Sequence, residues 1–243
     1  MTLGLLMLHA FPLDSTMWNA QSEGLAGTLP VVTVDLPGFG GAPMADSEGW
    51  MDEAADRADA ALSGTGIDRV VVCGLSMGGY VALAYARRHR DKLAGLILAN
   101  TRADGDDDAA KERRKGLAER LRSEGNFLAD SPPPLLSDGA SAEVRERVSA
   151  IIRRQEPEAI ARASLAMASR ADSRNDLAGI DVPTLVITSS ADALISPDLS
   201  KEMAEAIPGA ELKTIDGVGH LSNLEAPDTF NSLVRDFVGR IDK

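Results

Sequence analysis

The chain has 243 residues, of which 44% are hydrophobic and 26% are charged, and its formal net charge is −12. This length and balance predict one globular domain with an insertion, and the negative charge argues against nucleic acid as a partner because phosphate binding needs a basic surface. The single cysteine excludes an internal disulfide bond. One cysteine and three histidines also leave few ligands for zinc, so we expect no metal and no cofactor. No apolar stretch approaches the roughly 20 residues that span a bilayer, and residues 1–8 lack the basic leader of a signal peptide, which predicts a cytoplasmic protein without a membrane partner.

Short apolar runs alternate with helical patterns along the chain. Most of the runs are continuous, which is typical of strands buried on both faces of a parallel sheet. The predicted strands are 3–8, 31–34, 70–73, 96–98, 184–188 and 212–215. The helical patterns lie at 80–89, at 199–207 and around 230–237. This alternation predicts an α/β fold with a mostly parallel sheet and right-handed crossovers.

The segment from Asp104 to Asn175 has no strand pattern and interrupts the alternation. Its helical patterns span 109–123, 141–154 and 157–169, with consecutive prolines between the first two that no helix interior tolerates. We therefore predict a helical cap at 104–175, carried on a core made of 1–103 and 176–243. The acidic run 106–108 is interpreted as a solvated helix start rather than a metal site, because carboxylates are favourable at a helix N-terminus.

A glycine-flanked serine follows the strand at 70–73. Gly74, Ser76 and Gly78 form the pattern G-x-S-x-G, placed between a strand and a helix as that motif requires. A serine in so tight a turn projects its hydroxyl away from the backbone, and bulkier neighbours two positions away would collide. Ser76 is therefore the predicted nucleophile, and the Met77 N–H at the start of the helix is a predicted donor to an oxyanion.

Two of the three histidines are given no catalytic role. His9 follows the first strand in His9-Ala10-Phe11-Pro12, and we interpret it as structural, with its ring bonded to nearby loop backbone. The same loop would bring a second oxyanion donor, the Phe11 N–H, towards Ser76. His89 ends a polar helix and is interpreted as a surface residue.

His220 remains as the predicted base, because it follows the last strand in a glycine-rich loop that can reach over the sheet. Asp192 follows the strand at 184–188, and the chain order Ser, Asp, His matches the order that this type of fold produces. It would fix the tautomer of His220. Asp216 and Glu225 are the competing carboxylates; Asp216 lies too close in sequence to His220, and Glu225 is interpreted as capping or opening the last helix.

Together these residues give the sequence a recognisable likeness. It resembles the α/β-hydrolase superfamily, and in particular the esterases and lactonases related to 3-oxoadipate enol-lactonase and the cofactor-free haloperoxidases. The likeness is carried by residues 9–14, 35–40, 74–79, Asp192 and 219–225. The resemblance implies a triad of Ser76, Asp192 and His220, an oxyanion hole from Phe11 and Met77, and a helical cap over the pocket.

The sequence departs from that family at two points. Ala10 stands where members usually have glycine after the first-loop histidine, and its methyl group could tighten or tilt the oxyanion loop. Members also usually have two further N-terminal strands, so a trimmed sheet of six strands is expected. The strand at 31–34 would then lie at an exposed edge, through which a homodimer could form.

These features predict hydrolysis of small-molecule carboxylic esters through an acyl-enzyme intermediate. The alternatives are a lactonase of the 3-oxoadipate enol-lactonase kind, a perhydrolase or haloperoxidase side activity, and a slow-turnover small-molecule receptor. The cap arginines are interpreted as solvating exposed helix faces. If apolar cap residues line the pocket, neutral esters should be preferred over anionic lactones; the candidates are Val144, Val148, Ile151, Leu165 and Met167.

Overall fold

Six parallel strands form the centre of the molecule. The computed structural model describes residues 1–46 and 48–241. The strands are β1 (Leu3–Leu8), β2 (Val31–Val34), β3 (Arg69–Leu75), β4 (Leu93–Ala99), β5 (Thr184–Ser189) and β6 (Glu211–Ile215). They are arranged in the order β2-β1-β3-β4-β5-β6, and every pairing is parallel. The predicted fold class and the six apolar runs are confirmed.

The helices flank this sheet and connect its strands. They are α1 (Asn19–Leu25), α2 (Trp50–Ala60), α3 (Met77–Arg88), α4 (Asp108–Glu124), α5 (Ala142–Arg153), α6 (Pro157–Ala168), α7 (Pro197–Ala206), α8 (Ser222–Glu225) and α9 (Pro227–Val238). Short 3-10 helices cover Ser15–Trp18, Phe127–Ala129 and Arg174–Gly179. Among the α-helices, α2 packs against α3 and α1 packs against α9.

Helix α2 is the longest element that the hydrophobic pattern did not predict. Its buried face consists of Trp50 and Met51 followed by three alanines. Alanine contributes little apolar contrast to a helical pattern, so the buried face is hard to distinguish from its acidic surroundings. The helix forms because these small side chains let it lie close to α3.

The core is continuous across the sheet. Every residue of β1, β4 and β5 is buried, and Trp18 and Phe230 fill the space between α1 and α9 with their rings 5.8 Å apart. The two ends of the sheet are less covered, since β2 is half-buried and the middle of β6 is exposed. The position of β2 at the edge agrees with the expectation from sequence; a homodimer through it stays a prediction.

The chain between β4 and β5 forms α4, α5 and α6, with α4 packed against α6. These helices fall inside the segment predicted as a cap, whose boundaries at 104 and 175 remain a prediction. None of the helices within residues 1–46 and 48–241 combines the length and apolar character needed to cross a membrane.

Candidate active site

Ser76 lies in the turn that joins β3 to α3. Its φ and ψ angles are 56° and −114°, an unusual conformation for a residue with a side chain, which costs about 1–3 kcal/mol. The turn is so tight that a side chain at Gly74 would overlap the carbonyl of Gly78, and one at Gly78 would overlap the carbonyl of Leu8. The sequence-based reason for both glycines is therefore confirmed.

Backbone contacts hold the strained serine in place. The Ser76 N–H donates to the carbonyl oxygen of Ala99 at 3.0 Å, and the Thr101 hydroxyl donates to the Ser76 carbonyl at 2.8 Å. Both contacts come from the end of β4, the strand next to β3. The scaffold thus fixes the Ser76 backbone while its half-buried side chain faces the pocket described below.

The two predicted oxyanion donors are the backbone N–H groups of Phe11 and Met77. Across residues 1–46 and 48–241, neither the Phe11 N–H nor the Met77 N–H donates a hydrogen bond. Met77 is the first residue of α3, where an N–H has no acceptor within the helix and the helix dipole favours negative charge. Ala10 is fully buried, and its backbone nitrogen lies 3.2 Å from the sulfur of Met17, to which the N–H donates.

His220 and Asp192 form a buried pair. His220 Nδ1 lies 2.8 Å from Asp192 Oδ2, while Asp192 Oδ1 accepts hydrogen bonds from the N–H groups of Leu194 and Ile195. Burial opposes ionisation, yet the hydrogen bonds from His220, from Ile195 and from a nearby asparagine hold the pKa of Asp192 below its ordinary value. An ionised carboxylate can only accept, so Nδ1 carries the hydrogen and Nε2 is the ring nitrogen that does not face Asp192.

The competing carboxylates lie elsewhere. Asp216 is exposed after β6. Glu225 accepts hydrogen bonds from the N–H of Gly219 at 2.9 Å and from the N–H of Ser137 at 3.1 Å. It does not simply cap a helix, as the sequence suggested, because its carboxylate joins the loop of His220 to the segment around Ser137.

The other two histidines do not line the cavity that Ser76 and His220 share, which is described below. His9 is fully buried, with Nδ1 at 3.0 Å from its neighbour's carbonyl and Nε2 accepting from the Leu36 N–H at 2.9 Å. Burial lowers its pKa, so the ring is neutral and structural as expected. His89 lies at the surface, as predicted, with a side chain that is 20% exposed and an Nε2 atom 2.8 Å from the exposed carboxylate of Asp56.

A cavity of about 360 Å³ opens above these residues. Ser76, His220 and Phe11 line it together, so the predicted nucleophile, base and one oxyanion donor face the same space. Apolar side chains contribute much of the remaining wall: Leu117, Leu128, Leu135, Met167, Leu194 and Ile195. Of the cap residues proposed for this role from sequence, Met167 lines the cavity, whereas Val148 and Ile151 are part of the core.

Residues 5–233 match the model of the alpha/beta hydrolase family. The chain belongs to the α/β-hydrolase family. It is 32% identical to the pimeloyl-[acyl-carrier protein] methyl ester esterase of Neisseria meningitidis serogroup C, over 96% of this chain and 92% of that protein. The structure of a thermophilic esterase from Thermogutta terrifontis with malate bound superposes with a TM-score of 0.93 at 39% identity, covering 99% of this chain and 91% of the other. The enol-lactonase from Burkholderia xenovorans LB400 superposes with a TM-score of 0.87 at 29% identity, covering 99% and 92%.

Sequence reasoning missed one side chain of this α/β-hydrolase site. Asn100 follows β4, is fully buried and has a φ angle of 44°. Its amide donates to Asp192 Oδ2 at 3.0 Å and to the Ser189 hydroxyl at 2.8 Å, while its oxygen accepts from the Ser222 hydroxyl at 2.7 Å. The available signal was a polar Asn-Thr pair directly after a buried strand, because functional side chains collect where parallel strands end.

Proposed function

We propose that this α/β hydrolase cleaves carboxylic esters of small molecules through a covalent acyl-enzyme on Ser76. The observation that carries the proposal is that one cavity is lined by the conformationally strained Ser76 and by the buried imidazole of His220. The Nδ1 atom of that imidazole is hydrogen-bonded to the ionised Asp192. Strain of this kind persists only where the surrounding structure imposes it, and it is concentrated at functional sites.

Each group has a defined part in the proposed reaction. The Ser76 hydroxyl attacks the ester carbonyl and transfers its proton to His220 Nε2, while the Phe11 and Met77 N–H groups donate to the oxyanion. The protonated His220 then gives its proton to the departing alcohol. A water molecule, deprotonated by His220, attacks the acyl-enzyme and releases the acid and Ser76.

Asp192 acts on the base rather than on the substrate. Its carboxylate holds the hydrogen on Nδ1 and stabilises the imidazolium that forms when Ser76 attacks. The free N–H groups act where charge develops, and an oxyanion donor of this type contributes about 10²–10³-fold in rate. We expect these donors to need little reorganisation, because Phe11 follows β1, Met77 begins α3, and these two elements pack against each other.

The relatives support this reaction class. Those compared above are named esterases and an enol-lactonase, and lactone opening would use the same attack on an ester carbonyl within a ring. Lactone hydrolysis is therefore the second candidate function. The two differ only in whether the alcohol stays attached to the acyl group, so a shared panel of esters and lactones separates them.

Covalent labelling tests the proposed intermediate. With p-nitrophenyl acetate we expect a burst of p-nitrophenolate of about one equivalent followed by steady turnover, because acylation releases the phenol before deacylation. Mass spectrometry of the quenched protein should place the acetyl group on the peptide that contains Ser76. A burst without turnover would favour the slow receptor, and hydrolysis without an acyl-enzyme on Ser76 would contradict the proposal.

Asn100 is expected to act as a positioning residue for the Asp192–His220 pair. Replacing Asn100 with aspartate keeps the side-chain shape but places a second carboxylate beside Asp192. We expect kcat to fall by about tenfold while KM changes little, because a hydrogen bond to a buried charge is lost. The acid limb of the pH–rate profile should shift to higher pH, since the added negative charge favours the protonated imidazole.

Asn223 offers a matched control for this change. It is another fully buried asparagine, but its amide donates to the Met17 carbonyl and to Gln21 rather than to Asp192. Asn223→Asp should cost stability without moving the pH–rate profile. If both variants leave the profile unchanged, Asn100 has only a structural role.

A further inference from the structure

One face of helix α4 lines the active-site cavity. Ala110, Arg113, Arg114 and Leu117 all border it, and their spacing of three and four residues is that of a single helix face. The cavity wall therefore carries two consecutive arginines in a protein whose net charge is −12.

Arg114 belongs to a buried ionic cluster with Asp106 and Arg170. Arg170 Nη1 lies 2.6 Å from Asp106, Arg114 also pairs with that carboxylate, and the side chains of Asp106 and Arg170 are 4% and 3% exposed. Burial disfavours the charge on Asp106, but the two guanidinium groups hold its pKa below the ordinary value, so one anion is shared by two cations. The acidic helix start predicted to be solvated is thus partly buried at this residue, and Asp107 alone supplies the cap of α4.

Arg113 differs from the other arginines at the cavity. Arg102 is paired with Asp104, and Arg114 with Asp106. The guanidinium group of Arg113 forms no hydrogen bond or ion pair with any residue in 1–46 or 48–241, although its backbone belongs to helix α4. The four arginines of this region therefore face two aspartates, which leaves a net positive charge, and Arg113 is the arginine of this group that pairs with neither aspartate.

Apolar side chains lie in the same cavity as Ser76 and the arginines. Leu117, Leu135 and Met167 are among them. A substrate that satisfies both parts of the wall has an aliphatic chain with an ester at one end and a negative charge at the other. A carboxylate suits a guanidinium because the planar group can donate two parallel hydrogen bonds.

We propose that the site takes esters of this kind, the monoesters of aliphatic dicarboxylic acids, with Arg113 receiving the free carboxylate. The inference rests on the proposed esterase function of Ser76. It replaces the expectation from sequence that neutral esters are preferred, because that expectation interpreted the cap arginines as solvating exposed helix faces, whereas Arg113 and Arg114 border the cavity. The cluster of Asp106, Arg114 and Arg170 has a net positive charge, which favours the same carboxylate.

The test compares monomethyl esters of succinate, glutarate, adipate and suberate with methyl esters of the monocarboxylic acids of equal carbon number. Initial rates of methanol release give kcat/KM for each ester. We expect an anionic-to-neutral ratio above one at low salt, with an optimum at one chain length, and a decrease as salt screens the exposed guanidinium. Arg113→Gln should lower that ratio by about tenfold, the value expected for a charge-assisted hydrogen bond at a partly solvated site.

Two further variants make the result specific. Lys115 lies on the same helix but is exposed and does not border the cavity, so Lys115→Gln should leave the ratio unchanged. Arg113→Glu should reverse the preference and favour methyl 6-aminohexanoate over monomethyl adipate.

The outcomes separate the two proposals. If the neutral methyl esters are hydrolysed in a Ser76-dependent reaction, but the ratio stays near one and responds to neither salt nor Arg113→Gln, the carboxylate subsite is wrong and the esterase proposal stands. If no ester of either series is hydrolysed through Ser76, the esterase proposal itself fails.

Discussion

Replacing Ser76 with alanine should lower kcat/KM for every ester substrate by roughly 10⁴-fold or more, the size of loss seen when a triad nucleophile is removed. The proposed acyl-enzyme cannot form without the hydroxyl, and what remains is catalysis by the oxyanion donors and by binding alone. Steady-state rates with p-nitrophenyl acetate, together with the loss of its burst, measure the effect.

The fold should survive this substitution. No hydrogen bond among the described residues uses the Ser76 hydroxyl, so its removal leaves no buried group without a partner. Ser76→Gly is the informative companion, because glycine adopts a φ angle of 56° without strain. It should be as inactive as the alanine variant and unfold at a higher temperature. Near-normal turnover in a folded Ser76→Ala protein would end the serine-hydrolase proposal.

Replacing Asp192 with asparagine should be nearly as severe, with kcat reduced by about 10⁴-fold and little change in KM. The loss arises because an amide, unlike a carboxylate, does not select the histidine tautomer that leaves Nε2 free to accept the serine proton. The same change should remove stability at neutral pH. The pKa of Asp192 is held down in the folded protein, so its contribution to stability is present above the ordinary carboxyl pKa and is lost as the pH falls through the lowered value.

Two controls bear on this assignment. His220→Ala should abolish most activity, whereas His89→Ala should leave turnover close to normal because His89 pairs with Asp56, away from the cavity. Glu225→Gln should have a mild effect, since its carboxylate binds backbone N–H groups and not His220. If Asp192→Asn kept normal turnover while Glu225→Gln did not, Glu225 would be the acid and Asp192 a structural residue.

The parts of the molecule that could be predicted are those in which local sequence determines the outcome. Continuous apolar runs identify buried strands whatever their neighbours, and the requirement for Gly74 and Gly78 follows from the turn alone. We could select Ser76, Asp192 and His220 as candidate site residues from the sequence for a related reason. Each lies in the turn or loop that follows a strand, and the carboxyl ends of parallel strands meet at one edge of the sheet.

The remaining features depend on which elements become neighbours. Asn100 contacts Asp192 because β4 lies between β3 and β5, and strand order cannot be read from the chain. The sequence also does not reveal which charged side chains pair with each other. Arg114 pairs with Asp106, whereas its neighbour Arg113 borders the cavity without such a pair. Helix α2 escaped prediction because its alanines provide packing surface without a strong hydrophobic signal.

The contacts of Glu225 limit how the substrate range of this enzyme can be re-engineered. Its carboxylate binds Ser137 and Gly219, and the Leu221 N–H donates to the carbonyl of Leu135 at 3.0 Å. The segment around residues 135–137 is therefore fastened to the loop that carries His220. We expect an exchange of the whole region between β4 and β5 with that of a relative to displace His220, the proposed base, along with the cavity wall. A graft confined to α4 and α6, which pack mainly on each other, would change the wall that carries Arg113 and leave this attachment untouched.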